Sequence, residues 1–327
     1  MSKMKKLIIV STMLFFLSEN SFAKIWRVNN MNGVTADFTT AQAAHDGASA
    51  GDTIHLEPSV NSYGSVSASK PLVWLSIGSF LIDHPGNQFS TTTGKIESIF
   101  FNNGSAGSVV SLFSNGNLNI YTSNITINRS HVLGTVSIYY NPSNIVITQN
   151  FINTYCMIDA TNVIFSNNIV GYGINMSGYN ASAIITNNVF NYINRNENYH
   201  GTGSIYNAVF QNNISVKGGS YTFYNSLPTY NMFPDAYFPS GNNNVLNVNM
   251  SNVFVNHTGS VDKDFQLKTA SPAIASGYGS IDMGAFGGSS PYKLALQPAI
   301  PAITNMSTPS STGGNTIQVT FSAESNN

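Results

Sequence analysis

Charged side chains are scarce in this chain of 327 residues. Lysine and arginine together number 13, and aspartate and glutamate number 14, which is 8% of the sequence against about a quarter in an ordinary globular protein. Because the formal net charge is only -1, no basic surface can neutralise phosphates, and we expect no nucleic-acid partner. Hydrophobic residues make up 42% of the chain, which is enough to fill a large core and excludes disorder driven by net charge.

Cysteine is almost absent as well. Cys156 is the one thiol of the sequence, so no intrachain disulfide can form and stability must come from packing and hydrogen bonds. The sequence also lacks zinc-ligand spacing, a glycine-rich phosphate loop and a nucleophile elbow. We therefore predict no metal ion and no cofactor.

Long hydrophobic runs are missing except near the N-terminus. Three lysines precede an apolar stretch over residues 7–17, and Ser21-Phe22-Ala23 follows as a small-x-small cleavage site, which is typical of a secretory signal peptide. The stretch has about 11 residues, roughly half of what a membrane helix needs. The sequence predicts a signal peptide over residues 1–23, a mature chain secreted or held at the cell surface, and no transmembrane segment after cleavage.

Five short segments between residues 124 and 215 align without gaps. Each has alternating Ile, Val or Phe residues followed by a polar position that is Asn in four segments and Ser in one. These positions are Ser130, Asn150, Asn168, Asn188 and Asn213. A repeat of about 20 residues with strand periodicity predicts a β-solenoid whose turns carry insertions of different length.

The recurrent Asn suits a bend between two strands. Its side chain tolerates left-handed backbone angles and hydrogen-bonds locally. Because successive turns of a solenoid stack about 4.8 Å apart, we expect the amides of Asn150, Asn168, Asn188 and Asn213 to form an asparagine ladder. We interpret this row as architecture and not as a binding site.

Motifs on both sides of the repeat point to a known family. Residues 39–54 place a short alanine-rich helix, with Thr40 as its N-cap, before Gly-Asp-Thr-Ile and a strand, and residues 264–288 contain Ser-Pro-Ala-Ile and Met-Gly-Ala-Phe-Gly-Gly. With the repeat, these motifs resemble the opening and closing coils of the right-handed parallel β-helix family, the pectin lyase-like fold of secreted bacterial proteins. The resemblance implies an all-β fold, a right-handed single-stranded parallel β-helix (solenoid) with a short N-terminal capping helix.

The resemblance extends over residues 24–293. At 20 to 25 residues a turn, this span gives on the order of 12 turns. The following residues, 294–327, contain a Ser/Thr/Gly/Pro-rich linker and one alternating strand. One strand cannot fold alone, so we expect this segment to cover the C-terminal end of the solenoid.

Enzymes of this family act on polysaccharides in a groove along one sheet, and the resemblance implies carboxylate clusters for either lyase or hydrolase activity. Between residues 124 and 260 the acids are few: Asp159, Glu197 and Asp235. Asp159 and Glu197 each follow a ladder position by nine residues, so an equal register would separate their carboxylates by about 9 to 10 Å, near the distance in inverting glycosidases. Two unrelated loop acids explain the same coincidence, and we prefer that interpretation.

The densest mixture of aromatic and ionisable groups lies in the longest insertion, residues 191–207. A loop of this kind on a rigid scaffold is where a ligand site is expected. Tyr179, Tyr199 and Tyr224 also lie eleven residues after their ladder positions, where they could present aromatic faces to sugar rings. The predicted ligand-binding residues are Asp159, Tyr179, Tyr192, Arg195, Glu197, Tyr199 and His200.

Two functions fit these sequence features. The first is a secreted or surface-exposed β-helix without catalytic residues that serves adhesion or carbohydrate and matrix binding, with a polysaccharide or cell-surface glycan as partner. We prefer it because acid–base groups are scarce. The alternative is a polysaccharide lyase or glycoside hydrolase that uses residues around Asp159, Arg195, Glu197 and His200.

Overall fold

The computed structural model describes residues 23–84, 90–111, 114–191, 203–219, 221–298, 301–308 and 319–325. Within them the regular structure is β-strand apart from one α-helix and three short 3-10 helices. The helix α1 spans Ala41–Gly47, and the 3-10 helices span Met250–Asn252, Asp262–Phe265 and Leu294–Leu296. The strands are β1 Ile25–Val28, β2 Thr53–Leu56, β3 Val66–Ala68, β4 Val73–Leu75, β5 Lys95–Phe101, β6 Val109–Ser111, β7 Ser114–Ile120, β8 Thr126–Asn128, β9 His131–Val132, β10 Val136–Ile138, β11 Ser143–Thr148, β12 Phe151–Ile152, β13 Tyr155–Ile158, β14 Thr161–Ser166, β15 Ile169–Val170, β16 Gly173–Met176, β17 Ala183–Thr186, β18 Val189–Phe190, β19 Gly203–Tyr206, β20 Ala208–Gln211, β21 Ile214–Ser215, β22 Tyr221–Tyr224, β23 Leu227–Thr229, β24 Pro301–Ser307 and β25 Thr320–Ser325.

Most strands stack into two long parallel sheets. Sheet A has ten strands in the order β1-β2-β4-β6-β8-β11-β14-β17-β20-β23, and sheet B has eleven, with β16-β13-β10-β7-β9-β12-β15-β18-β21 as its main path. The chain visits both sheets in each turn, so the fold is a parallel β-solenoid of about eight turns. The predicted β-helix is confirmed at this level.

Side chains that point into the solenoid form continuous apolar rows. The central row of sheet A pairs residue with residue in register and is fully buried; it consists of Ile54, Trp74, Val110, Ile127, Ile147, Phe165, Ile185 and Phe210. Burial of one such side chain contributes about 1.5 to 3 kcal/mol. The strict alternation of apolar and polar residues in the repeat therefore becomes the inside and the outside of the rod.

The short helix lies where the sequence predicts it. The Thr40 hydroxyl accepts a hydrogen bond from the Ala43 backbone N–H at 3.2 Å and so caps α1. Ala41 and Ala44 on one helix face are fully buried, and α1 packs against β1, β2 and β3. The helix thus covers the apolar interior at the first turns, as expected of a capping helix.

The predicted asparagine ladder is present and longer than expected. From Asn168 onward, each ladder Oδ1 accepts a backbone N–H at 2.9 to 3.0 Å and an amide Nδ2–H at 3.0 to 3.1 Å from the Asn of the preceding turn. Asn150 Oδ1 accepts the Ser130 backbone N–H at 2.9 Å. The row continues past Asn213 to Asn231 and Asn244. The left-handed backbone lies one residue earlier than predicted: Gln149, Asn167, Asn187 and Asn212 have φ of 56 to 59°.

After the last turns the chain runs back along the outside of the solenoid. We call residues 250–297 the return strap. Side chains of the left-handed row hold it: Asn187 Nδ2 donates to Asp282 O at 3.1 Å, and Asn167 Nδ2 donates to Gly287 O at 2.7 Å. At its end Gln297 Nε2 donates to Ile77 O at 2.9 Å. The solenoid has fewer turns than the length suggested because these residues lie beside it.

Strands β24 and β25 pair with each other as an antiparallel hairpin. Ile303, Met306 and Phe321 on this hairpin are exposed. The covering role and the domain limits at residues 24, 293 and 294 stay predictions, and the signal peptide over residues 1–23 lies almost entirely outside the described residues. In the described part of the chain, no helix has both the length and the apolar character to cross a membrane.

Candidate functional site

One corner of the solenoid carries a row of tyrosines. It is the corner where the chain leaves β7, β10, β13, β16, β19 and β22 and turns toward sheet A. The residues at this position stack one per turn, because Tyr139 N donates to Ile120 O at 3.0 Å and Asp159 N donates to Ile138 O at 3.2 Å. We call the tyrosines at this position or within two residues after it the tyrosine corner; they are Tyr121, Tyr139, Tyr140, Tyr179, Tyr206 and Tyr224.

The rings form two groups. In the first, Tyr121 and Tyr139 stack with centroids 5.3 Å apart and planes at 15°, and Tyr140 lies 5.9 Å from Tyr121. Tyr140 is 83% exposed. The group therefore offers aromatic surface to the solvent at the end of a rigid strand stack.

The second group lies further along the axis. Tyr206 and Tyr224 stack at 4.5 Å and 7°, and Tyr179 meets Tyr206 edge-on at 5.6 Å. Tyr179 is 84% exposed and Tyr224 is 45% exposed. Clustered exposed aromatics on a soluble protein mark an interaction surface more often than isolated ones do.

Non-aromatic corner residues separate the two groups. Asp159 is the corner residue of the turn after Tyr139, and Ser177 is the corner residue of the next turn, which also carries Tyr179, because Ser177 N donates to Ile158 O at 2.9 Å. Asp159 Oδ2 accepts the Tyr140 N–H at 3.2 Å. Gly178 has φ of +116°, and a Cβ there would lie 2.8 Å from Asp159 Oδ1. We call the group of Asp159, Ser177 and Gly178 the Asp159 notch.

The electrostatics of the corner depend on one carboxylate. Asp159 takes part in none of the ion pairs found among the described residues. The six strands that end at the corner contain no lysine or arginine, and the turns that follow them contain none either. The notch is therefore a local site of negative charge on an otherwise neutral surface.

An outer row of asparagines runs beside the tyrosines. Asn144 Nδ2 donates to Asn124 Oδ1 at 3.0 Å, and Asn225 Nδ2 donates to Asn207 Oδ1 at 2.8 Å. All four have φ of 45 to 60°. Ser182 interrupts the row, and a groove of about 410 Å³ opens there. Its exposed amides and hydroxyls can bind a polar ligand that lies along the corner.

The structure places two of the predicted ligand residues together. Asp159 and Tyr179 flank Gly178 at the notch, and Tyr224 belongs to the same corner through Tyr206. The remaining five predicted residues lie outside the described residues, so the interpretation of Asp159 and Glu197 as two unrelated loop acids stays a prediction. The five residues are Tyr192, Arg195, Glu197, Tyr199 and His200.

Sequence reasoning missed four of the six corner tyrosines. They are Tyr121, Tyr139, Tyr140 and Tyr206. A signal for them exists, because three of these stand at or directly after the last apolar residue of a strand: Ile120-Tyr121, Ile138-Tyr139 and Ile205-Tyr206. A search for aromatic residues at strand ends would have found the row.

Other ionisable groups in the described residues serve the fold. Cys156 is fully buried, and burial raises the pKa of its thiol well above the usual value. Asp264 accepts backbone N–H bonds from Ser260 at 3.0 Å and Val261 at 3.1 Å, so its carboxylate holds a turn. Within the described ranges, no three His, Cys, Asp or Glu residues come together as metal ligands.

No protein-family model, no curated protein and no solved structure matches this chain. Its function is therefore inferred from the corner itself and from the sequence motifs.

Proposed function

We propose that this protein is a non-catalytic glycan-binding β-helix and that the tyrosine corner is its binding surface. The observation that carries the proposal is the pair of exposed tyrosine groups at one corner, with Tyr140 and Tyr179 each more than four-fifths exposed. A pyranose ring has an apolar C–H face that packs on an aromatic ring, and the tyrosine hydroxyl supplies a polar contact at the ring edge.

The scaffold suits an extended polymer. Strands stack about 4.8 Å apart, close to the advance per sugar of an extended β-linked glycan, so successive corner residues would meet successive sugars. The outer asparagines Asn124, Asn144, Asn207 and Asn225 run in the same direction and supply hydrogen-bonding groups for sugar hydroxyls. A few placed polar groups beside apolar surface are the usual composition of a ligand site.

Export and family membership belong to the same proposal. The basic residues, the apolar stretch and Ser21-Phe22-Ala23 support secretion or display at the cell surface. The motifs at residues 39–54 and the asparagine repeat support kinship with the pectin lyase-like β-helices. A surface protein of this kind would serve adhesion or attachment to a glycan matrix.

The test is a binding screen on a glycan array with purified protein expressed from the complete sequence. We expect retention of a small set of extended polysaccharides, and at least about ten-fold weaker binding, or 1.4 kcal/mol, for the double variant Tyr140→Ala/Tyr179→Ala. Tyr278→Ala is the matched control, because Tyr278 is 60% exposed on the return strap.

Two kinds of result would overturn the proposal. One is a binding result: either the corner variant binds as tightly as the wild type, or the protein binds no glycan on the array. The other is the release of reducing ends or unsaturated uronates from bound polysaccharide, which would favour the lyase or hydrolase alternative around Asp159, Arg195, Glu197 and His200.

A further inference from the structure

The Asp159 notch differs from the rest of the tyrosine corner in charge. From this difference, and on the basis of the proposed function, we infer that the notch receives a positively charged amino sugar. The ligand class is then a glycan with free amino groups, of the polyglucosamine type, in place of a neutral or uronic acid polymer.

The charge of the notch favours this ligand. Asp159 carries the one ionisable carboxyl of the corner in the described residues, and the only partner found for this carboxylate is the Tyr140 backbone N–H at 3.2 Å. A carboxylate with a single neutral partner retains acceptor capacity for an ammonium group. The same carboxylate repels a uronate at this position.

The surrounding rings favour a cation as well. Tyr140 and Tyr179 both lie next to the notch, because Tyr140 donates its backbone N–H to Asp159 and Tyr179 follows Gly178 in the chain. The face of an aromatic ring attracts a cation, and an exposed contact of this kind contributes about 0.5 to 1 kcal/mol. Carboxylate and tyrosines together favour an alkylammonium group over a neutral one.

The notch also has the space for such a ligand. Gly178 is exposed and places no side chain over the carboxylate, whereas a Cβ there would lie 2.8 Å from Asp159 Oδ1 and clash with it. The turn of Asp159 lies between the turn of Tyr139 and the turn that carries Ser177 and Tyr179, so the notch spans about two strand spacings, or about 10 Å. This length accommodates two sugars, while the tyrosines at both ends pack against their neighbours.

The experiment compares four hexasaccharides by titration calorimetry: glucosamine, N-acetylglucosamine, β-1,4-linked glucose and galacturonate. We expect the glucosamine hexamer to bind at least about ten-fold more tightly than its N-acetylated form, a difference of 1.4 kcal/mol, and to lose that advantage in 0.5 M salt. Acetylation changes the ligand and not the protein, so this comparison needs no variant.

Asp159→Asn keeps an oxygen acceptor for the Tyr140 N–H and removes the charge. We expect this variant to bind the glucosamine hexamer and the N-acetylglucosamine hexamer with equal affinity. Its affinity for the N-acetylglucosamine hexamer should equal that of the wild type. Glu97→Gln, at an exposed position of β5 outside the corner, changes the net charge equally and should keep the preference.

Equal binding of both glucosamine forms by the wild-type protein, or an unchanged preference in Asp159→Asn, would overturn the amino-sugar inference and leave the proposed function intact. Failure of all four hexamers and of the polysaccharide array would instead count against glycan binding itself.

Discussion

Asn168 is joined to Asn188 by two hydrogen bonds that end on one atom. The backbone N–H of Asn168 at 2.9 Å and its Nδ2–H at 3.1 Å both donate to Oδ1 of Asn188. The Nδ2 of Asn188 donates onward to Phe165 O and to Asn213 Oδ1, each at 3.0 Å. Since Asn168 and Asn188 are fully buried, these rungs of the ladder satisfy backbone groups that no water reaches.

The substitution Asn188→Ala should therefore destabilise the protein strongly. It removes the acceptor of two Asn168 donors inside the protein, and each unpaired buried group costs about 1 to 3 kcal/mol. We expect the free energy of unfolding in guanidinium to fall by at least about 2 kcal/mol. The control Asn144→Ala removes a bond of the exposed outer row and should cost less than about 1 kcal/mol. Similar losses in both variants would contradict the ladder as the stabilising element.

The return strap depends on a buried carboxylate. Asp262 is fully buried; its Oδ1 pairs with His84 Nε2 at 2.8 Å, and its Oδ2 accepts the Ala295 N–H at 2.7 Å. Asp262→Ala should release the strap, at a cost of about 3 kcal/mol, because buried polar partners lose their acceptor. Hydrogen exchange of residues 278–296 should accelerate, while the ladder strands keep their protection.

Asp83→Ala is the matched control for the strap. Asp83 pairs with Lys263 at 3.4 Å, and both side chains are about a third or more exposed, so this ion pair contributes at most about 1 kcal/mol. Equal exchange in the Asp83 and Asp262 variants would show that the buried pair does not hold the strap.

The ladder was predictable because its residues recur about every 20 residues, each time after a segment with strand periodicity. The position of the left-handed residue was not, because the doublets Asn167-Asn168 and Asn187-Asn188 place the same residue type at both positions. Asparagine satisfies either requirement, the positive φ or the stacked amide. Only the folded structure separates the two roles.

The return strap and the tyrosine corner were hidden for different reasons. Asn167 Nδ2 bonds carbonyls 118 and 120 residues away, and a contact of that separation leaves no periodic trace in the sequence. At the corner, a fixed number of residues after each ladder position does not lead to the same place in every turn, because the connections differ in length. Residues 177–182 join β16 to β17, whereas Asn207 alone joins β19 to β20. Tyr224 consequently pairs with Tyr206.

His131 gives the stability a pH dependence. It stacks on Phe80 at 4.5 Å, its Nε2 bonds Asn153 Oδ1 at 2.8 Å, and burial lowers its pKa from 6.5 to about 4. Below pH 6.5 the His131 side chain binds a proton in the unfolded chain, whereas in the folded chain it stays neutral down to about pH 4. Stability should therefore be greatest above pH 6.5 and fall by about 2 to 3 kcal/mol toward pH 4.

The variant His131→Phe isolates this effect, since Phe151 occupies the same position on the next turn. We measure the free energy of unfolding of both proteins from pH 7 to pH 4. The decrease in the variant should be smaller than the decrease in the wild type by about 2 to 3 kcal/mol. Parallel curves for the two proteins would show that other groups cause the dependence.

The backbone conformation of Gly178 affects the position of the Asp159 carboxylate in the notch. Its φ of +116° is unfavourable for an L side chain, and a Cβ would stand 2.8 Å from Asp159 Oδ1. Gly178→Ala should therefore cost about 1 to 2 kcal/mol of stability through backbone strain and, in addition, displace the carboxylate. Gly241→Ala is the matched control, because Gly241 has φ of +86° with nothing within 4 Å of an added Cβ. Both variants should lose stability, but only Gly178→Ala should lose the preference for the glucosamine hexamer. If Gly241→Ala loses it equally, the preference follows global stability and not the open carboxylate at the notch.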